Sequence, residues 1–191
     1  MIMSSERNDQ GQLYQAAFGL AAMMDGFADD HLPEKLSGIV KTHAGIAVGS
    51  AFIPVPGADL VAAGTNIWTM YVRINKELDL PFAENVIKSI AAGAATNIGG
   101  AVVAYMVVGS ALKMLPGLGS VGGATLVGAT IYGVTIASGI IYMKAVTKLL
   151  ESKQGSQINE QNLKMAMDEL LDDKESVRQI YNTAKSSYSR S

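Results

Sequence analysis

Charge is laid down along this chain in blocks. Between Lys88 and Lys144 the only charged side chain is Lys113, and the runs on either side of it, Ser89–Leu112 and Met114–Met143, carry none. Each run exceeds the roughly 20 apolar residues a helix needs to cross a bilayer. Neither shows the charged stripe that a water-facing helix presents once per turn. The ends of the chain are polar by comparison.

The rest of the pattern predicts further helices. Leu13, Ala17, Leu20, Met24 and Phe27 fall on one face of a helix over Gln12–Asp29. Pro33 suits the first turn of the next, where a missing amide donor costs nothing, and that helix runs to about Phe52. Ile53-Pro54-Val55-Pro56-Gly57 then breaks the chain, since proline removes a donor and clashes with the preceding turn. Pro56 opens a helix to about Asp79, and Pro81 opens one to about Leu115. Pro116-Gly117-Leu118-Gly119 is the second break, and a long helix follows to about Lys153. After Gly155-Ser156, Leu163, Met167, Leu170, Leu171, Val177, Ile180 and Tyr181 recur at helical spacing among charges, as in an ordinary amphipathic helix. The expected fold is all-α. A polar N-terminus and amphipathic helix occupy 1–32, helical hairpins rich in Gly and Ala occupy 33–153, and an amphipathic helix and tail occupy 154–191.

Shifting the chain by 60 residues lays Val48-Gly-Ser-Ala51 on Val108-Gly-Ser-Ala111, Pro56-Gly57 on Pro116-Gly117, Val61 on Val121 and Thr65 on Thr125. The shared plan is helix, Pro-Gly break, helix. Small residues repeat every four positions at Gly45/Gly49, Ala92/Thr96/Gly100/Ala104, Gly119/Gly123 and Ala129/Gly133/Ala137. Glycine inside a helix costs about 1 kcal/mol relative to alanine, and close helix approach offsets this. That approach is either between copies of the chain, giving a homo-oligomer in the membrane, or within one tightly packed domain.

Composition narrows the function. The 191 residues are 49% hydrophobic and 17% charged, with net charge −2, and the mean hydropathy of +0.22 is mild because the polar ends dilute the middle. A near-neutral chain with scattered Lys and Arg lacks the basic surface of a nucleic-acid binder. The absence of cysteine excludes disulfides and thiolate chemistry. The first ten residues have neither the basic start nor the apolar stretch of a secretory signal, so the N-terminus is expected in the cytosol. Lys88 precedes the long uncharged hairpin and Lys144, Lys148 and Lys153 follow it, which predicts cytoplasmic ends at an inner membrane. Lys35 and Lys41 precede the first hairpin, and Arg73 and Lys76 follow it. Its arms are shorter: Thr42–Ile53 is about 18 Å of helix, which suits a re-entrant, interfacial or protein-buried pair.

Candidate chemistry is sparse. Asp59 is the only acid between Glu34 and Glu77. It is either an ion, proton or partner site, or an acid favoured by the dipole of a first helical turn. His31 and His43 lack metal-ligand spacing, and His43 with Lys41 is expected at the membrane surface. Gly117–Gly123 lacks the Gly-Lys-Ser/Thr of a phosphate loop. Trp68, Tyr71 and Tyr142 are either interfacial anchors or packed core. No nucleophile–base set is visible, so neither an enzyme nor a cofactor is expected.

Ala51-Phe-Ile-Pro-Val-Pro-Gly-Ala-Asp-Leu60 resembles the "iPiPgaD" signature of a bacterial domain-of-unknown-function family, found behind Era-like GTPase domains and in YcjF-like inner-membrane proteins. Leu115-Pro-Gly-Leu-Gly-Ser-Val-Gly-Gly123 is similar to its second element, at fitting separation, and the resemblance covers roughly Thr42–Leu150. It implies an all-α membrane-associated domain working beside a GTPase, with Pro54, Pro56, Gly57, Asp59, Pro116, Gly117 and Gly119 as break and partner-contact positions. No GTP-binding domain is present in this sequence, so the GTPase would be a separate chain. The expected role is an anchor, scaffold or GTPase partner in the lipid bilayer. The alternative is a soluble cytoplasmic protein that inserts a hidden apolar hairpin as a pore-former or effector.

Overall fold

The computed structural model describes residues 26, 28–50, 58–113, 118–151, 159–173 and 175, with side chains described for 26, 28–49, 61–62, 64–98, 128, 130–151, 159–173 and 175. These residues are helical, with no strand among them. Five helices follow a short helical stretch at 28–31: α1 (Glu34–Ser50), α2 (Ala58–Glu77), α3 (Glu84–Lys113), α4 (Leu118–Glu151) and α5 (Glu160–Asp172). Most of the helix expected over Gln12–Asp29 (all but residues 26, 28 and 29), the break residues Pro54, Pro56, Gly57, Pro116 and Gly117, and the tail residues Val177, Ile180 and Tyr181 lie outside the described residues.

α1 begins directly after Pro33, whose carbonyl accepts from the Leu36 and Ser37 amides. α3 starts three residues later than Pro81 suggested, because Ala83 supplies the first carbonyl of the helix, to Val86 and Ile87. The Ala83 amide is satisfied instead by the Glu160 carboxylate of α5 at 3.1 Å. α2 ends in a left-handed turn at Asp79, φ 51°, where the Leu80 amide reaches back to the Asn75 carbonyl. Glycine is usual there, and Asp is among the few side chains that tolerate it. α5 is capped by Asn159, whose side chain accepts from the Asn162 amide.

Helices α1 to α4 form an up-down-up-down ring in which each packs on the next and α4 closes against α1. Paired contacts fix the directions. Lys35–Glu77 and His43–Asn66 make α1 and α2 antiparallel. Lys76–Glu84 and Lys88 over Trp68 do so for α2 and α3. Tyr71–Ser138 and Asn75–Tyr142, both 67 residues apart, run α2 parallel to α4. α5 lies across the base of α3 and α4, burying Leu163, Ala166, Met167 and Leu171.

α4 is the centre of the core. Every residue from Thr130 to Tyr142 is buried, and a helix apolar on all sides is one covered on all sides. Thr130–Glu151 is the one stretch among the described residues long and apolar enough to cross a membrane, and 72% of it is buried in protein. The expectation of lipid around the whole second arm is therefore corrected over Thr130–Tyr142: protein surrounds it, with α1 packed on it at Val40 and α2 at Tyr71 and Asn75.

Candidate functional site

Charge disappears from all four ring helices toward the same end. That end gathers the C-termini of α1 and α3 and the N-termini of α2 and α4. Moving toward it, the last charged residues are Lys41 on α1, Arg73 on α2, Lys88 on α3 and Lys144 on α4; beyond them only Asp59 and Lys113 occur. The helix pairings above place these four cations within about 14 Å along the bundle axis at 1.5 Å per residue. The ring order distributes them around the circumference. They form a collar between a charged half and an uncharged half.

Beyond the collar, the exposed residues with described side chains are Thr42, Gly45, Ile46, Gly49, Val61, Thr65, Thr69, Ser89, Ala92, Thr96 and Asn97. Ile46 is 59% and Val61 72% exposed. All the polar side chains among them except Ser89 turn inward on their own helix. Thr42, Thr65, Thr69 and Thr96 donate to the carbonyls of Gly38, Val61, Thr65 and Ala92, and the Asn97 amide donates to that of Gly93. Such back-bonding satisfies a hydroxyl or amide without water.

Below the collar, three cations of the ring helices are matched by acids, whereas Lys164 on α5 makes no ion pair among the described residues. Lys35 pairs with Glu77, Lys76 with Glu84 and Lys148 with Glu169. In the collar only Lys41 is matched, by Asp29, whose carboxyl is held below its ordinary range by a hydrogen bond from Ser37 and by Lys41. Arg73, Lys88 and Lys144 are exposed and make no ion pair among the described residues. Lys88 rests over the Trp68 ring, 5.2 Å from its centroid.

Polar joints inside the bundle hold the collar in place. Asn66 donates to the His43 carbonyl at 2.6 Å, which turns its Oδ1 toward His43 Nδ1 at 2.9 Å. Nδ1 is therefore the protonated nitrogen, and Nε2 is left to accept from Arg73 Nη1 at 3.4 Å. Desolvation lowers the His43 pKa from its ordinary 6.5. Tyr71 and Tyr142 stack with centroids 4.0 Å apart, Tyr71 bonding to Ser138 and Tyr142 donating to Asn75. The two tyrosines are thus packed core, while Trp68 is half-buried at the collar. His43, expected at the membrane surface, is buried against α2.

A half-open recess of about 270 Å³ lies at the α2–α3 turn, between Asn75, Lys76, Asp79, Phe82 and Glu84. Asn75 Nδ2 is buried there without a partner among the described residues. No group of three metal-ligating side chains occurs among the described residues.

The other sequence-derived positions divide in two. Gly45 and Gly49 lie on an exposed face of α1 where an added Cβ would meet nothing within 4 Å, and Gly133 is buried in α4. Asp59, Gly100, Ala104, Gly119 and Gly123 are helical, with side-chain positions outside the described set. The closest helix approach is at Gly139, which the four-residue pattern passes over: a Cβ there would sit 2.6 Å from Val40 Cγ2. Asn66 and Asn75 were also passed over, although both fall on the buried stripe of α2 with Ile67, Met70, Tyr71 and Ile74. No family model, curated protein or solved structure matches the chain.

Proposed function

We propose that the chain is a membrane-associated, non-catalytic helical module. Its uncharged end lies in the bilayer and its charged end stays in the cytosol at the inner membrane, as an anchor or scaffold. One observation carries this reading: the four ring helices all lose their charge toward one end, within about 14 Å along the bundle axis. Water gives no reason for such alignment, because charged side chains are tolerated along the whole exposed length of a soluble bundle. Lipid does, since a charge on a helix at mid-bilayer costs about 2.5–3.5 kcal/mol. Backbone and side-chain polar groups in lipid must be satisfied within the protein, and the back-bonded Thr and Asn residues meet that demand.

The α3–α4 hairpin reaches deepest. Lys88 to Lys113 is about 37 Å of helix, against about 30 Å of hydrocarbon. α1 and α2 flank its base as shorter, re-entrant arms. The charged end, with α5 and the recess at the α2–α3 turn, is the surface offered to a soluble partner, and a separate GTPase is the partner class that the sequence resemblance suggests. Full-length protein retained in membranes after carbonate and high-salt washing is the expected result, and complete release would overturn the reading.

A second reading rests on the burial of Thr130–Tyr142. A chain whose most apolar helix is already wrapped by protein can be a soluble bundle that opens its hairpin on a trigger. A monodisperse species in detergent-free buffer would favour it.

A further inference from the structure

We infer that the collar is a binding surface for anionic phospholipid headgroups, so that the module selects acidic membranes; this rests on the proposed membrane reading and names its lipid partner. Two independent observations carry it. The first is position. On each of four consecutive ring helices the residue that closes the uncharged half is a cation, Lys41, Arg73, Lys88 or Lys144. No carboxylate occupies that place on any of them, although the chain has 17 acids against 15 cations. The second is pairing. Lys35, Lys76 and Lys148, the other cations of the ring helices at the charged end, each have a carboxylate within 4 Å. Arg73, Lys88 and Lys144 have none among the described residues. With Lys41 matched by Asp29, the collar carries three uncompensated positive charges on a chain of net charge −2.

The chemistry of the partner follows. Three cations spread around a bundle do not converge on one small anion. They match a plane of separate anionic groups at the depth where hydrocarbon gives way to water. Lysine and arginine reach such a plane by laying their alkyl stems along apolar surface, and the Lys88 ammonium lies over Trp68, whose ring suits the same depth. Each basic residue at an anionic surface strengthens binding by about fivefold, and the effect is screened by salt.

Co-flotation of the detergent-diluted full chain with vesicles tests this. Phosphatidylcholine vesicles are compared with vesicles in which phosphatidylglycerol is mixed. Expected is stronger partition into the phosphatidylglycerol vesicles that falls steeply as salt is raised, read on the unmodified protein. Replacing Arg73, Lys88 and Lys144 together by Gln should remove this preference, a loss of roughly 100-fold. Replacing Lys35, Lys76 and Lys148 together by Gln removes three cations that carboxylates already match and should leave the preference in place. Equal partition into both vesicles, or equal loss in both triple variants, overturns the inference while leaving the uncharged end in the bilayer. Failure to float with either vesicle overturns the membrane reading itself, and the inference with it.

Discussion

Gly139 is where a single atom matters most. Val40 approaches it so closely that an alanine Cβ would overlap both Val40 methyls, at 2.6 and 2.9 Å. A β-branched side chain has little freedom to turn aside. Gly139→Ala should therefore destabilise the fold by about 1–2 kcal/mol, the overpacking cost reduced by the gain in helix propensity, measured by chemical denaturation. His43 sets a second expectation. Its folded pKa lies below the unfolded 6.5, so the native state binds fewer protons than the unfolded chain as pH falls through that range. Stability should be constant above it and decline below it, because burial disfavours the charged ring and, secondarily, a second ring proton would face the Arg73 guanidinium. Thermal melts of His43→Gln should lose that decline; an unchanged pH profile would show that the buried pair does not titrate with folding.

At the scale of helices, Gly45 and Gly49 separate two kinds of close packing. Neither meets a neighbour across α1 in the single chain. In an isolated bundle, Gly45→Ala should raise stability by up to about 1 kcal/mol through helix propensity alone. If a second copy packs against this face, the same substitution should lower the oligomer's stability, read by analytical ultracentrifugation in detergent. Helix existence was legible from the sequence because Pro33, Pro81 and the Pro-Gly breaks punctuate long apolar runs. The start of α3 moved from Pro81 to Glu84, where the Ala83 amide is taken by Glu160. The buried face of α5 was legible from Leu163, Met167 and Leu171. The polar joints were not, because Asn66, Asn75 and Ser138 gain their partners only across 23 to 67 residues of chain. Hydrophobic periodicity carries no information about which helix a buried amide will meet.

For the whole molecule, sequence alone could not separate a helix surrounded by lipid from one surrounded by protein. Both are apolar on every side. α4 is the second kind over Thr130–Tyr142, while the exposed faces of α1, α2 and α3 at similar height remain uncharged. A charge placed on that exposed surface distinguishes the solvents. Thr96 is exposed and about 12 Å beyond Lys88 along α3. Thr96→Glu should weaken membrane retention by about 2–3 kcal/mol if lipid contacts it, and should be nearly silent if water does. Thr147→Glu, exposed on α4 in the charged half, should leave retention unchanged in either case. Trp68 is the chain's single tryptophan. Its half-buried place beneath Lys88 gives the protein one natural fluorophore, seated at the dividing line between its two halves. The colour and quenching of its emission report, without any label, which medium has reached that line.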